Sequence, residues 1–544
     1  MEHQKPKRPI VKVEESKWTG YFIEPRALPC SHHPETMIKY RREELVQNVR
    51  HMIQEYIRNN EDLLQGMKTV DTLERLGIGY HFEKEIATFM EVLQSKPAGD
   101  DLCSVALRFR LLRQHHYNLS SEIFKNFLDE NGDFKDTLLR SNVDALLSLY
   151  EAAHLAQCGE EFLSGAIVFT KDCLSSLAKG SQLQEPVLEK VQHALASPTH
   201  RRIKRLEARL YISIYEADEA RNEDILELAK LDFHIMQQMH RAEVKEISLW
   251  YKNLNPGSVL GRHIRERPVE CYFWALNVFY EPQYAKARMM FAKIIKLMSL
   301  FDDTYDSYGT TEELHQFNQV FQRWDQEGAQ QIGNYYAYLM SYICKTLEDF
   351  VTDAGASPMG IDCIIETFKE VSKGMLQEVV WRQEGHVPPV HEYLKVSAVT
   401  TCYCVLSVMS FVAMGANNDT LIWACSFPKF IESTATMCRL MDDIFGHEDE
   451  KERTMCVTAV DCYVQEHSVT VQQAKQALSC LVDEHWRIIN QEFLSNNMVP
   501  VTLLVRVVNL ARFMESMYRN VDRYTYSSEM AVPIHKLLNE CVDH

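Results

Sequence analysis

An apolar run from Met289 to Phe301 ends directly in the acidic segment 302–306 (D-D-T-Y-D), and this junction constrains the fold more than any other part of the chain. Only lysines and one serine interrupt the run, so its pattern predicts a buried helix. On that helix Asp302 and Asp306 lie one turn apart on the same face, where like charges repel. Mg²⁺ would offset the repulsion, because it binds one or two carboxylates together with substrate phosphates. A solvated helix end is the alternative for a single motif of this kind.

A second acidic row, about 140 residues further on, favours the metal site. Asp442 and Glu450 are eight residues apart, which also places them on one helical face. The run 430–441 before them is apolar or small except for Glu432 and Arg439. Two such rows facing each other would hold several Mg²⁺ ions around one diphosphate, and two independent solvated faces would be a much rarer coincidence than one.

Length, composition and the helix-breaking segments predict a largely helical protein with two or more domains. The chain has only 20 Gly and 17 Pro in 544 residues, and 46% of its residues are hydrophobic. From about residue 34, amphipathic periods alternate with breaks such as 131–133 and 196–199, without the fixed period of a solenoid. The polar stretch 216–224 is the expected junction, which gives domains 1–222 and 223–544. The G-x-G at residues 77–79 is interpreted as a turn between helices.

Charge and leader composition exclude several classes of function. A net charge of −18 argues against nucleic acid as a partner. The fifteen cysteines form no C-x-x-C pair, and residues 1–8 lack the apolar core of a signal peptide, so we expect reduced thiols and a cytoplasmic location. Residues 396–418 carry no charge and are long enough to span a bilayer. Their many hydroxyl groups predict instead a helix buried on all sides, with polar atoms facing a cavity and no stable membrane insertion.

With both acidic rows in place, the chain resembles a plant class I terpene synthase of the sesquiterpene branch over nearly its whole length. The segments that carry the resemblance are, in chain order, Arg8-Pro9 followed after eight residues by Trp18, residues 71–82, residues 106–115, Arg265-Glu266-Arg267, residues 270–275 and the two acidic rows. The resemblance implies an all-α protein with two helical domains. They would be an N-terminal relic α-barrel without D-x-D-D and a C-terminal class I terpenoid synthase α-bundle that holds the site.

The resemblance also implies the metal ligands. Asp302 and Asp306 would bind Mg²⁺ as the aspartate-rich motif, while Asp442, Gly446 and Glu450 fall on the three ligand positions of (N/D)-D-x-x-(S/T/G)-x-x-x-E. Three Mg²⁺ ions are expected, with Mn²⁺ as a possible substitute. Gly446 has no side-chain oxygen, so either a water completes the coordination or the site is weakened. We favour the water, because Mg²⁺ keeps waters readily.

The expected reaction is loss of diphosphate from farnesyl diphosphate, followed by cyclisation or rearrangement of the carbocation to a C15 terpene. Metals, Arg265 and Arg439 would neutralise the charge that develops on the leaving oxygens. Arginine suits this role because its planar fork matches phosphate oxygens. For Arg267, substrate binding and a surface ion pair are equally good interpretations.

Further pocket residues follow from the resemblance alone. They are the aromatic faces of Trp274, Tyr403 and Tyr524, the helix break at Thr400 and Thr401 whose carbonyls would face the cation, and Asp522 with Tyr524 as a pair near the lid and a proton relay. Aromatic faces stabilise cations by up to ~2 kcal/mol when desolvated. Core packing is the alternative for each aromatic residue taken alone.

Competing functions remain open at this point. A chain-elongating prenyltransferase would carry two full D-D-x-x-D motifs in roughly half this length, and a monoterpene synthase would carry a transit peptide and a paired Arg-Arg before the tryptophan. A terpene synthase using geranyl or geranylgeranyl diphosphate and a catalytically inactive helical scaffold are the further alternatives. The expected partner is a small prenyl diphosphate, and the expected state is a monomer.

Overall fold

The computed structural model describes residues 8, 13–24, 35–59, 62–97, 99–130, 134–135, 142–180, 183–185, 187–261, 263–453, 456–519 and 521–542. Pro9 of the N-terminal motif and the predicted break at 131–133 lie outside these residues. The described residues form helices joined by turns and loops, and they contain two isolated β-bridges but no β-strand. The all-α prediction is therefore confirmed.

The chain groups into two compact units. The larger contains the described residues of 1–26, 240–489 and 498–534, and the smaller contains those of 27–239, 490–497 and 535–544. The stretch 216–224 does separate two helices, one ending at Glu216 and the next beginning at Glu223. The domain boundary between residues 222 and 223 stays a prediction.

The smaller unit is built from α-helices joined by short turns. Its helices are α1 (Glu35–Asn59), α2 (Leu63–Arg75), α3 (Glu83–Ser95), α4 (Leu102–Gln114), α5 (Val143–Ala153), α6 (Glu161–Lys179), α7 (Val187–Ala196), α8 (Lys204–Glu216) and residues 223–239 of α9 (Glu223–Leu254). Side chains of Asp62, Asp101 and Asn142 each accept the backbone N–H three residues on, which is why α2, α4 and α5 begin where they do. Gly77, at φ 71°, forms the turn expected after α2.

The larger unit contains the helices that carry the acidic rows. They are residues 240–254 of α9, α10 (Pro256–Leu260), α11 (Pro268–Val278), α12 (Ala285–Ser307), α13 (Thr311–Arg323), α14 (Gln326–Ile332), α15 (Asn334–Thr352), α16 (Pro358–Glu384), α17 (Val390–Thr400), α18 (Tyr403–Ala413), α19 (Asn418–Cys425), α20 (Lys429–Arg453), α21 (Ala459–His467), residues 471–489 of α22 (Val471–Ser495), α23 (Val501–Met517) and residues 527–534 of α24 (Ser527–Leu538). Helix α12 packs against α11, α16 and α18, and α20 packs against α17, α18 and α23.

The N-terminal residues are fixed to the larger unit by polar contacts. Arg8 donates two hydrogen bonds to the Glu313 carboxylate, at 2.7 and 2.8 Å, and one to the backbone oxygen of Tyr308. Ser16 donates to the buried carboxylate of Glu270, and the side chain of Trp18 is buried. Both ends of the Arg8 to Trp18 motif are thus held to helices far along the chain.

The segment Val390–Ala413 is the part of the described chain that is long and apolar enough to cross a membrane, and 78% of its most apolar window is buried. It consists of α17 and α18, which are separated by a break at Thr401 and Cys402. The prediction of a buried helix therefore holds, and the helix is interrupted at its centre by the break that the family resemblance implies.

Most cysteines that the structure describes carry free thiols, and many of these thiols are buried. Cys541 is an exception because it is disulfide-bonded. The expectation of reduced cysteines is therefore wrong at Cys541.

Candidate active site

One cavity in the larger unit brings most of the predicted site residues together. It encloses about 1370 Å³ of empty space, its open mouth included. The predicted residues that line it are Arg265, Trp274, Asp302, Asp306, Thr400, Thr401, Arg439, Asp442, Glu450, Asp522 and Tyr524. Three predicted residues, Arg267, Tyr403 and Gly446, are absent from the lining among the described residues.

The first acidic row lies at the C-terminal end of α12. Arg265 donates its backbone N–H and its Nε–H to the Asp303 carboxylate, both at 2.7 Å, and a terminal N–H to Asp302. Burial raises the pKa of Asp302, and the Arg265 charge opposes that rise. Burial and then the Asp302 charge raise the pKa of Asp306 well above its ordinary value. The two cavity-lining carboxylates are therefore held at a real electrostatic cost.

The second row is arranged in the same way on α20. Arg439 donates to Asp442 at 3.1 Å and to Asp443 at 3.4 Å, and its other N–H groups reach the backbone oxygen of Ser397 and the hydroxyl of Thr400, both at 3.2 Å. Burial raises the pKa of Asp442 well above its ordinary value, with Arg439 opposing. Each acidic row thus has its own arginine.

Gly446 lies between the two cavity-facing carboxylates of α20. A Cβ built at this position would be 3.7 Å from Asp442 Oδ1 and 4.0 Å from Glu450 Cγ, with no other described atom within 4 Å. A side chain at position 446 would therefore project between these two residues, as the spacing predicts, and would meet no steric obstacle.

These carboxylates fit a magnesium site of the kind that substrate completes. No three His, Cys, Asp or Glu side chains in the described parts of the chain form a ready-made cluster around one ion. Mg²⁺ is commonly held by one or two carboxylates with waters and phosphate oxygens, so a preformed cage is not required. Burial raises the pKa of Asp306 and of Asp442, neighbouring carboxylates raise both further, and a bound cation would favour their charged forms.

Asp443, beside the second row, lines the cavity and also holds the surrounding backbone in place. Its Oδ2 accepts the Tyr393 hydroxyl at 2.8 Å and the Ala459 N–H at 2.6 Å. It therefore connects α17 and the start of α21 to α20. This fixes the wall formed by residues 456–458, which also line the cavity.

The predicted helix break lies where the resemblance places it. Cys402 has φ 68°, a left-handed conformation that costs a non-glycine residue roughly 1–2 kcal/mol. Thr400, Thr401 and Cys402 all line the cavity, and the Thr400 hydroxyl donates to Glu378 at 2.8 Å. Burial raises the pKa of Glu378 to about 7.

An aromatic wall faces the acidic rows, and one of its predicted members is displaced. The Trp274 ring stacks on Phe513, with centroids 4.7 Å apart, and lies edge-on to Tyr524 at 6.3 Å. Tyr403 is fully buried 6.4 Å from the Trp274 ring, and its hydroxyl donates to the backbone oxygen of Leu510. Tyr403 therefore supports Trp274 from behind, and its predicted contact with substrate has no support.

Arg267 is also absent from the cavity lining among the described residues. The residue is fully buried and donates to the backbone oxygens of Glu14 at 2.6 Å and of Tyr524 and Thr525 at 3.3 Å. Its donors are directed at neighbouring loops, so a surface ion pair does not describe it, and its part in substrate binding stays a prediction. The geometry gives it a positioning role.

The predicted relay of Asp522 and Tyr524 is not a direct hydrogen bond between the two side chains. Asp522 Oδ1 accepts the backbone N–H groups of Tyr524, at 2.8 Å, and Thr525, at 3.2 Å. The Tyr524 ring lies under the Arg265 guanidinium at 5.1 Å. Asp522 therefore shapes the loop that presents Tyr524.

Several lining residues were missed by sequence reasoning. They are Glu378, Arg382, Cys402, Cys438, Cys456 and Tyr518. Cys402 and Cys438 lie next to the predicted residues Thr401 and Arg439, whereas the other four have no motif around them. Position on the cavity-facing side of α16 is the only signal that Glu378 and Arg382 share, and it becomes visible only once the helix is placed.

The fold and site define an α-helical metal-dependent class of protein, and comparison with known proteins identifies the family. Residues 252–488 match the model of the terpene synthase family, metal binding domain, and residues 17–195 match that of the terpene synthase N-terminal domain. The chain belongs to the terpene synthase family, so the predicted resemblance is confirmed.

Individual relatives are similar over nearly the whole chain. Sesquiterpene synthase TPS2 of Cananga odorata is 38% identical over 96% of this chain and 92% of its own length. The (-)-germacrene D synthase of Vitis vinifera is 38% identical over 90% of this chain and 88% of its own length. The crystal structure of isoprene synthase from grey poplar leaves, in complex with three Mg²⁺ ions and dimethylallyl-S-thiolodiphosphate, superposes with a TM-score of 0.86 at 28% identity, covering 93% of this chain and 97% of that one.

Proposed function

We propose that this protein is a sesquiterpene synthase that ionises farnesyl diphosphate in the presence of Mg²⁺ and converts the resulting carbocation to a C15 terpene. One observation carries the proposal. Two carboxylate rows, on α12 and α20, each with its own arginine, line a single cavity that also has an aromatic wall. The proposal is supported by the names of the relatives from Cananga odorata and Vitis vinifera. It is also supported by the three Mg²⁺ ions and the diphosphate analogue in the isoprene synthase structure.

The acidic rows and their arginines would hold the diphosphate end of the substrate. Asp302, Asp306, Asp442 and Glu450 are the residues that would hold Mg²⁺, which supplies positive charge to the leaving oxygens when bound. Arg265 and Arg439 present their N–H donors beside those rows. As the allylic C–O bond breaks and its electron pair moves to diphosphate, hydrogen bonds from such donors strengthen.

The opposite wall would receive the hydrocarbon chain. Ile295, Met298 and Leu406 add aliphatic surface beside Trp274. This surface excludes water, and aromatic faces attract a desolvated cation by up to ~2 kcal/mol. The products and their ring number depend on the contour of this wall.

Farnesyl diphosphate is proposed over its C10 and C20 homologues because the relative from Cananga odorata is a sesquiterpene synthase by name and because Arg8 is followed by proline rather than a second arginine. The test is kcat/KM of the purified chain with geranyl, farnesyl and geranylgeranyl diphosphates at saturating Mg²⁺, with volatile products analysed by gas chromatography and mass spectrometry. The C15 substrate should give the highest value. A higher value with geranyl diphosphate would move the chain to the monoterpene-forming alternative.

An inactive helical scaffold is the alternative from another class. It would retain the fold and give no Mg²⁺-dependent product with any of the three substrates. The cavity-lining carboxylates and the two paired arginines argue against it, because a scaffold gains nothing from burying Asp302, Asp306 and Asp442, whose pKa values burial raises.

We further propose a cytoplasmic location and a monomeric state. The many buried free thiols support the location, and Cys541 is the residue that argues against it. Localisation of a fluorescent fusion tests the first proposal. Light scattering coupled to size-exclusion chromatography tests the second, with a mass near 63.2 kDa expected.

A further inference from the structure

A third arginine, Arg382 in the last turn of α16, lines the cavity in an unusual setting. Its guanidinium donates to the backbone oxygen of Tyr305 at 3.2 Å and to the thiol sulfur of Cys456 at 3.4 Å. The Tyr305 oxygen belongs to the aspartate-rich helix, one residue before Asp306, and Cys456 belongs to the segment that follows the second acidic helix. Arg382 therefore stands between the two parts of the chain that carry the acidic rows.

Its partners differ from those of the other two cavity arginines. Arg265 and Arg439 each form ion pairs with two aspartates. Arg382 forms no ion pair within 4.0 Å with any carboxylate in the described part of the chain, and both of its hydrogen-bond partners are neutral or weak acceptors. A guanidinium has five N–H donors, so two engaged donors leave most of its capacity unused.

A charged group in that position normally has an anion close to it. Asp306 and Glu378 are carboxylates whose charge acts on Arg382, and both act through space rather than by contact. Burying a charge without a bonded partner is costly, so a bound anion that completes the set would be favoured. The cavity residues around it are those that the proposed function assigns to the diphosphate end of the substrate.

We propose that Arg382 is a further substrate-binding residue, a third guanidinium that donates to the diphosphate oxygens beside Arg265 and Arg439. This inference rests on the proposed function. As the allylic C–O bond breaks, its electron pair remains on the diphosphate oxygen, and the unused donors of Arg382 stabilise that developing charge. The competing explanation is that Arg382 only offsets the charge of Asp306 and Glu378.

Binding of inorganic diphosphate separates the two explanations without any turnover. Calorimetry at saturating Mg²⁺ should show Arg382→Gln binding diphosphate about ten-fold or more weakly than the parent, the loss expected for a hydrogen bond to a charged group. Arg382→Lys keeps the charge but not the fork, so its affinity should lie between the two. If Arg382 only offsets carboxylate charge, Arg382→Gln will bind diphosphate like the parent and bind Mg²⁺ more tightly, which would overturn the proposal.

Lys373→Gln is the matched control. Lys373 lies on the same helix, is exposed, and pairs with the exposed Glu370. It loses the same unit of charge outside the cavity and should bind diphosphate like the parent. Circular dichroism and thermal unfolding establish that each variant folds. If Arg382→Gln does not fold, the diphosphate affinity of Arg382→Lys is compared with that of the parent instead.

The same measurement keeps this inference distinct from the proposed function. A parent that binds diphosphate with Mg²⁺, and loses affinity in Arg382→Gln, upholds the inference even if no terpene forms from any prenyl diphosphate. Terpene formation by a parent whose diphosphate affinity is unchanged in Arg382→Gln upholds the function and overturns the inference. A parent that binds no diphosphate at saturating Mg²⁺ overturns the inference directly.

Discussion

Replacing Asp306 by asparagine should make the metal-free protein more stable and the ligand-bound protein less stable than the parent. Asp306 lines the cavity one helical turn after Asp302, and burial and the Asp302 charge are the two largest influences that raise its pKa. Asparagine keeps the shape of the side chain and removes its charge. The substitution therefore relieves repulsion in the empty site and removes a ligand from the filled one.

The size of the first effect follows from the spacing. Side chains four residues apart on a helix have Cβ atoms about 5–6 Å apart, and like charges there cost about 0.2–0.5 kcal/mol in water. At an effective dielectric constant of 20, two charges about 6 Å apart would repel by roughly 3 kcal/mol. The nearby charge of Arg382 reduces this. We expect about 1 kcal/mol, which is roughly 1 °C in Tm for a chain of this length.

The second effect is larger and has the opposite sign. Mg²⁺ with inorganic diphosphate at 100 times Kd should stabilise the parent by about 2.7 kcal/mol, and Asp306→Asn by much less. Scanning calorimetry with chelator, and then with Mg²⁺ and diphosphate, should therefore show the two Tm values exchanging order. An Asp306→Asn protein that is destabilised in chelator, or that gains as much from the ligands as the parent, would refute the reasoning.

Four further substitutions test other parts of the site. Gly446→Ser should stay active and need no more Mg²⁺ than the parent, since a Cβ added there lies 3.7 Å from Asp442 and 4.0 Å from Glu450. Glu450→Gln should instead raise the Mg²⁺ requirement sharply. Titration of the initial rate against Mg²⁺ concentration decides both. The pKa of Glu378 is raised from 4.5 to about 7, so the folded state binds a proton that the unfolded state releases, and stability is lost as pH rises between those values. Glu378→Gln should remove that loss and be about 1–3 kcal/mol more stable than the parent at pH 8 but not at pH 4.5, by urea unfolding; equal slopes against pH would contradict this. Arg267→Met should lower Tm and kcat through its lost carbonyl contacts without changing the Kd for diphosphate, and a large change in that Kd would restore the predicted substrate contact.

The acidic rows could be predicted because their signal is local. In residues 302–306 and 442–450, acidic residues at helical spacing follow an apolar run. The whole pattern is contained in a few consecutive residues. The uncharged segment 396–418 likewise contained enough hydroxyl groups to indicate a polar cavity. The break within it, at Thr401 and Cys402, came from the family resemblance.

Side-chain direction could not be predicted in the same way. Arg267 is only two residues from Arg265, yet Arg265 lines the cavity. Arg267 instead donates to the backbone oxygens of Glu14, Tyr524 and Thr525. That difference is set by loops more than 250 residues away in sequence. The contact of Ser16 with Glu270 has the same origin.

Isolated functional residues inside helices were missed for a related reason. Arg382 and Glu378 sit one turn apart on α16 in a sequence with no charge pattern that marks a site. Their relevance comes from the packing of α16 against α12 and α17, which places them on the cavity wall. Phe513, which stacks on Trp274, is another such case, since it lies on α23 far from any motif.

The central claim, that the two acidic rows bind metal for ionisation of a prenyl diphosphate, is tested most directly by measuring diphosphate release and volatile product in the same reaction. The purified chain with farnesyl diphosphate should release diphosphate and form C15 product in matching amounts with Mg²⁺, and neither with chelator. Asp302→Ala should lose both by roughly 10² or more, the scale of removing one element of transition-state charge stabilisation, while its Tm stays within a few degrees of the parent. Product formation by Asp302→Ala at the parent's rate and at ordinary Mg²⁺ would contradict the account.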